Sequence, residues 1–113
     1  MADQQRVAQI LAAPGSHKIS FSRGTLVVAP DGRGALVLNK LADPASDHVY
    51  EAWVADGGAP QPAGLFTGGT TVTVPLAKPV GDGATVMVTQ EKAGGTESPS
   101  QMPFLVVRNA PQS

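Results

Sequence analysis

The chain has no cysteine, so disulfide staples, zinc–thiolate sites and cysteine nucleophiles are excluded. Aromatic residues are scarce: three phenylalanines, one tryptophan and one tyrosine. The longest apolar runs are four or five residues, such as Leu26 to Ala29 and Phe104 to Val107, whereas a membrane-crossing helix needs about twenty. Excess positive charge is also missing. Eight basic and nine acidic residues leave a net charge of −1, which argues against the basic footprint that nucleic acid requires. The opening Met1-Ala2-Asp3 has neither a basic start nor an apolar stretch, so no secretory signal is visible.

What is present points to a small β domain. A chain of 113 residues suits one domain and hides roughly two-thirds of its unfolded surface, enough for one core without staples. Valine, isoleucine, leucine and phenylalanine account for 26 residues, just above the level of roughly 20% at which a packed core becomes doubtful. Thirteen valines and eight threonines against two isoleucines give a β-branched bias that favours strands. Glycine (13) and proline (10) make the chain rich in turns.

Asp3 to Ala13 is expected to form a short helix, with Asp3 as N-cap, Val7, Ile10 and Leu11 as its apolar stripe, and Pro14-Gly15 as its stop. One stripe on so short a helix is not stable alone and must dock. Strands are expected over Lys18–Ser22, Thr25–Ala29, Ala35–Asn39, His48–Ala55, Gly64–Thr67, Thr70–Pro75, Ala84–Gln90 and Phe104–Arg108. The sharpest hairpin signal is Pro30-Asp31-Gly32-Arg33-Gly34 between two apolar runs. In His48–Ala55, Tyr50, Ala52 and Val54 share one face, and Val49, Glu51, Trp53 and Ala55 the other. With no helix-length pattern between strands, the expected fold is all-β: an antiparallel β-sandwich of immunoglobulin-like architecture with a short N-terminal helix, a barrel being the alternative.

No residue pattern carries catalysis. His17 and His48 each start a predicted strand and share no ligand spacing. No serine lies in a G-x-S-x-G turn. Six of the nine carboxylates are aspartates at turns or loop edges, among them Asp31, Asp43, Asp56 and Asp82, as local side-chain-to-backbone bonding favours. Asp31-Gly32 and Asp82-Gly83 lack the ligand series of a calcium loop. Gly94-Gly95 opens into Ser-Pro rather than a helix, so a flexible strand connection is expected over Ala93–Ser100 instead of a phosphate cradle. Tyr50, Trp53 and Phe66 are expected to fill the core. No catalytic residue, cofactor or metal ligand is assigned.

Three blocks carry a resemblance. Val49 to Phe66 contains Tyr50, Trp53 three residues on, Gly58-Ala59-Pro60 and Gly64-Leu65-Phe66. Val86 to Pro99 contains Val86, Val88, Glu91, Gly94, Gly95, Ser98 and Pro99. The hairpin contributes Pro30, Asp31 and Gly32. In this order and spacing, over about residues 25 to 107, they resemble the anti-sigma-K factor family, C-terminal extracytoplasmic domain. Glu51-Ala52 and Thr89-Gln90-Glu91 depart from the commoner family residues and are expected on solvent faces. Tyr50, Trp53, Gly58, Pro60, Gly64, Phe66, Glu91, Gly94, Gly95 and Pro99 are, by the same resemblance, structural motif residues.

The resemblance implies a non-enzymatic sensor domain on the extracytoplasmic face of a bacterial plasma membrane. Its parent is a single-pass, membrane-anchored negative regulator. A cytoplasmic domain outside this sequence holds a sigma-K-like extracytoplasmic-function sigma factor, and staged proteolysis, begun by a site-1 protease, releases it. Residues 1–16 would be a helix and juxtamembrane remnant, residues 17–109 the β domain and residues 110–113 a tail. Ala12 to Lys18 is expected, from position, to be the segment whose access is controlled. The alternative is a secreted or surface-exposed ligand-binding or adhesion β module, facing carbohydrate through Trp53 and Tyr50. Burial of Trp53 separates the two.

Overall fold

The alternating valines and threonines form eight strands, and every strand pair is antiparallel. The structure, a computed structural model, describes residues 2–110, apart from the side chains of residues 2–4 and 6. The Asp3 cap therefore lies outside the described side chains. Helix α1 (Ala2–Ala12) is followed by β1 (His17–Phe21), β2 (Gly24–Val28), β3 (Gly34–Leu41), β4 (His48–Ala55), β5 (Gln61–Phe66), β6 (Gly69–Pro75), β7 (Thr85–Lys92) and β8 (Leu105–Arg108). They make two four-stranded sheets, sheet A in the order β1-β2-β3-β6 and sheet B in the order β5-β4-β7-β8.

One core lies between the sheets. Leu26, Leu36, Leu38 and Val74 come from sheet A, and Tyr50, Ala52, Val54, Val86, Val88, Leu105 and Val107 from sheet B. These are alternate residues along their strands, as the pleat requires. The Asp31-Gly32 hairpin forms as expected, with Val28 opposite Gly34. Asp31 receives the Arg33 backbone N–H at 3.1 Å and its Nε–H at 2.7 Å, and the backbone N–H leads in holding the carboxyl below its ordinary value.

Polar bonds join the two sheets at their edges. Asn109, just beyond β8, is buried. Its side-chain N–H donates to the Val80 and Gly81 carbonyls at 3.3 and 3.0 Å. That orientation leaves Oδ1 as acceptor, so His17 donates to it through Nε2 at 2.7 Å, tying β1 to the end of β8. At the other edge the Ala77 N–H donates to the Ala63 carbonyl at 2.8 Å. The β4–β5 ladder shifts register between Ala52 and Trp53. Gly64 sits opposite Ala52 with φ of 150°, a backbone region that glycine enters readily.

Both outer faces are covered in part. Val7 and Ile10 of α1 pack on Val27, Ala29 and Ala35 of and beside β2 and β3. The expected third stripe residue, Leu11, is instead 42% exposed. It sits about 100° around the helix from Ile10, outside the cluster that Val7 and Ile10 form with Val27, Ala29 and Ala35. Ser16 donates its hydroxyl to the Ile10 carbonyl at 2.8 Å and its N–H to Ala13 at 3.1 Å, closing the helix end on the entry to β1.

Candidate functional site

The outer face of sheet B is the part of the molecule with buried chemistry. Glu51 and Trp53 on β4, and Thr89 and Glu91 on β7, all point away from the shared core. Glu51 lies opposite Thr89, Trp53 opposite Met87, and Glu91 opposite Val49, so Trp53 and Thr89 are diagonal neighbours within side-chain reach. Glu51 is 3% exposed, Glu91 1%, and Trp53 and Thr89 are fully buried.

These side chains form a directed chain of hydrogen bonds. Trp53 Nε1–H donates to Thr89 Oγ1 at 2.9 Å. The Thr89 hydroxyl donates to Glu91 Oε2 at 2.6 Å. Glu91 also receives the Ser100 N–H on Oε2 at 3.1 Å and the Ser100 hydroxyl on Oε1. Glu51 Oε1 receives the Thr96 N–H at 2.9 Å and the Thr96 hydroxyl at 3.5 Å. That hydroxyl also reaches the Ser98 carbonyl at 2.8 Å. Residues 93–104, which carry Thr96 and Ser100, are thus clasped to the sheet as a strap.

Neither clasp carboxylate has a cation partner among the described residues, whose ion pair is Arg33–Asp31. An unpaired buried carboxylate is costly unless hydrogen bonds replace its water. At Glu91 burial pushes the carboxyl up, but the Ser100 hydroxyl, the Thr89 hydroxyl and the Ser100 N–H together outweigh it and hold the group below its ordinary value. Glu51 goes the other way. Burial raises it, the Thr96 N–H opposes, and the negative Glu91 adds to the rise.

The strap needs glycine where it turns onto the sheet. Gly95 has φ of 78°, and a Cβ there would sit 2.9 Å from Leu65 Cδ2 and 3.1 Å from Glu51 Oε1. A side chain at this point would be strained and would press on the carboxylate.

Apart from Gly64, which lies in the β4–β5 ladder opposite Ala52, the motif residues divide among three places. Trp53, Glu91 and Gly95 build the clasp, with Gly94 and Pro99 in the strap beside them. Tyr50 and Phe66 lie at the end of the shared core, their ring centroids 5.6 Å apart, and the Tyr50 hydroxyl donates to the Ala42 carbonyl at 2.6 Å. Gly58 and Pro60 sit in the connection between β4 and β5, away from both.

Two expectations are corrected here. Glu51-Ala52 and Thr89-Gln90-Glu91 are not solvent-face variations, since Glu51, Ala52, Thr89 and Glu91 are all buried. The connection over Ala93–Ser100 is not a loose link but a cover bonded to the sheet. Trp53 is buried as expected, and on the expected face opposite Tyr50, beneath that cover. Thr96 and Ser100 drew no notice in the sequence, because loop serines and threonines are ordinary and nothing local marks their acceptors.

Comparison with known proteins identifies relatives. The family model described as "Anti-sigma-K factor rskA, C-terminal" matches residues 1–104. The anti-sigma-K factor RskA of Mycobacterium ulcerans (strain Agy99) is 33% identical over 101 residues, which cover 81% of this chain and 43% of that protein. The chain therefore spans less than half the length of the curated relative it matches. No solved structure matches.

Proposed function

Because the chain belongs to the anti-sigma-K factor family, in the C-terminal domain, we propose that it governs from outside the membrane how long a sigma factor stays sequestered. The domain corresponds to the extracytoplasmic region of a membrane-anchored anti-sigma factor, and it is not an enzyme. No helix of the described residues is long and apolar enough to cross a membrane. No group of three or more histidine, aspartate or glutamate side chains among them is arranged to hold a metal ion.

On this proposal the parent protein binds a sigma-K-like extracytoplasmic-function sigma factor on the cytoplasmic side and negatively regulates it. Regulated intramembrane proteolysis, started by a site-1 protease, ends that hold. Residues 1–16 are the juxtamembrane part, residues 17–109 the β domain, and residues 110–113 a tail. We read the two sheets as an immunoglobulin-like sandwich, and the motif residues as its structural fixtures.

The observation that supports this is the docking of α1. The segment Ala12 to Lys18 runs from a helix held by Val7 and Ile10 directly into β1, where Lys18 pairs with Val27. A protease needs an extended, accessible chain, so cutting there requires local opening. The fold can thus set the cleavage rate without any chemistry of its own. The alternative reading, an adhesion module presenting Trp53 to carbohydrate, loses its platform, since Trp53 is fully buried.

The experiment uses the membrane-anchored parent with a sigma-dependent reporter. Ile10→Asp places a charge against Val27 and Ala35 and should undock α1, speeding cleavage and raising the reporter. An unchanged reporter, with undocking verified by proteolysis of the purified domain, would remove the proposal. So would limited proteolysis in which residues 12–18 resist better than the strap around Gly94 after α1 is released.

A further inference from the structure

Five large apolar side chains remain exposed among the described residues, and two of them, Met102 at 89% and Phe104 at 40%, line the same pocket at one end of the shared core. The pocket is an open depression of about 600 Å³, inside the roughly 300–1,000 Å³ typical of small-molecule sites. The Tyr50 and Phe104 rings lie against each other, with centroids 5.3 Å apart and planes at 51°.

The polar lining is biased toward donors. The Arg23 guanidinium carbon lies 5.7 Å from the Phe104 ring centroid, a separation at which an arginine is steadied by the aromatic face. Arg23 has no ion-pair partner among the described residues. The Gln90 side-chain oxygen is already taken by the Ala45 N–H at 2.8 Å, so its amide hydrogens are what it can offer. The Tyr50 hydroxyl is committed to Ala42. No aspartate or glutamate lines the pocket; Asp43 faces a neighbouring shallow depression together with Lys40.

One cation, spare donors, no carboxylate and an apolar wall fit one kind of guest. We propose that this pocket binds a small amphipathic anion, its carboxylate on Arg23 and the Gln90 amide, its apolar body against Phe104, Tyr50 and the Met102 side chain. Methionine suits such a wall because it is unbranched and adapts to shape. Met102 and Phe104 belong to the same strap that Glu91 and Glu51 clasp, so a guest that prefers the closed strap also stabilises it by mass action. The pocket stands on its own geometry, whether or not the domain regulates cleavage.

The test is a nitrogen-15 NMR titration of the purified chain with 2-naphthoate and with its neutral counterpart 2-naphthamide. Naphthoate should shift the amides of Arg23, Gln101, Met102 and Phe104 and bind about tenfold tighter than naphthamide, the advantage of one charge-assisted pair. Arg23→Gln should bring naphthoate down to the naphthamide level, while Lys18→Gln, a cation outside the pocket, leaves both unchanged. Met102→Glu, at a position 89% exposed, removes part of the apolar wall for both probes but sets a negative charge against naphthoate alone, so it should weaken naphthoate more than naphthamide, which gives a second reading should Arg23→Gln disturb the fold. Equal binding of the two probes to the unmodified chain, shifts confined to Leu65 and Val106, exposed apolar residues outside the pocket, or no shifts at millimolar probe would overturn the assignment.

Discussion

The two outer faces of this domain meet the same need by opposite means. Sheet A is closed by a helix whose valine and isoleucine sit on valine and alanine. Sheet B is closed by an irregular strap held through two buried carboxylates and a buried indole. An apolar contact is indifferent to pH and gains from every ångström of buried surface. A carboxylate clasp depends on protonation and on each donor staying in place. The difference teaches that covering a sheet with polar groups gives a switchable lid, whereas covering it with apolar groups gives a fixed one that opens only by undocking.

The largest break in that comparison should come from Trp53. Trp53→Ala removes a fully buried side chain and the donor that aligns Thr89, and should destabilise the domain by about 3–5 kcal/mol. Urea unfolding reads this directly, and a loss below about 1 kcal/mol would mean that the indole is not part of the cover.

Next comes Glu91. Glu91→Gln puts an amide where three donors converge on two oxygens, and should cost about 1–3 kcal/mol near neutral pH. The pH dependence has a definite sign. The folded-state value of Glu91 lies below its unfolded value, so its contribution is fully present above the unfolded value and is lost as pH falls through the folded one. Stability curves of the parent chain and Glu91→Gln should therefore converge in strong acid. Parallel curves would contradict the clasp.

The smallest effect belongs to Glu51. Its folded-state value is raised, so what it contributes is present below the unfolded value and is lost as pH rises through the folded one. Glu51→Gln keeps an acceptor for the Thr96 N–H and removes the repulsion from Glu91. It should be neutral or stabilising by less than about 1 kcal/mol at neutral pH, with the gain shrinking in acid. Thermal unfolding at neutral and acidic pH checks it; a gain that grows in acid would reverse the assignment.

Much of this was legible before the structure. The β4 boundaries, the Asp31-Gly32 hairpin and the inward set Tyr50, Ala52 and Val54 follow from period-two patterning and turn chemistry, which are local. The clasp was not legible, because its donors and acceptors are far apart in sequence: Glu51 meets Thr96, and Glu91 meets Ser100. One clue was present. Trp53 alternates onto the same face as Glu51, and a tryptophan on a strand's polar side signals that something covers that side. Reading polarity as solvent exposure overrode it. Asn109 was missed for the same reason, since its partners Val80, Gly81 and His17 come together only when the sheet edges close. The helix departs in a smaller way, at Leu11, which lies outside the docked cluster; periodicity marks a stripe but not how much of it a neighbouring sheet covers.

The central claim is that ionised Glu91 holds the strap on sheet B independently of the helix on sheet A. Hydrogen-exchange protection of the Ser100 amide, followed from neutral pH into acid alongside an interior amide of β2, tests it most directly. Protection at Ser100 should be present at neutral pH and fall as Glu91 is protonated, while the β2 amide stays protected, and Glu91→Gln should lower it at neutral pH and remove its dependence on acid. A Ser100 amide that is unprotected at neutral pH, or that loses protection only together with β2, would contradict the account.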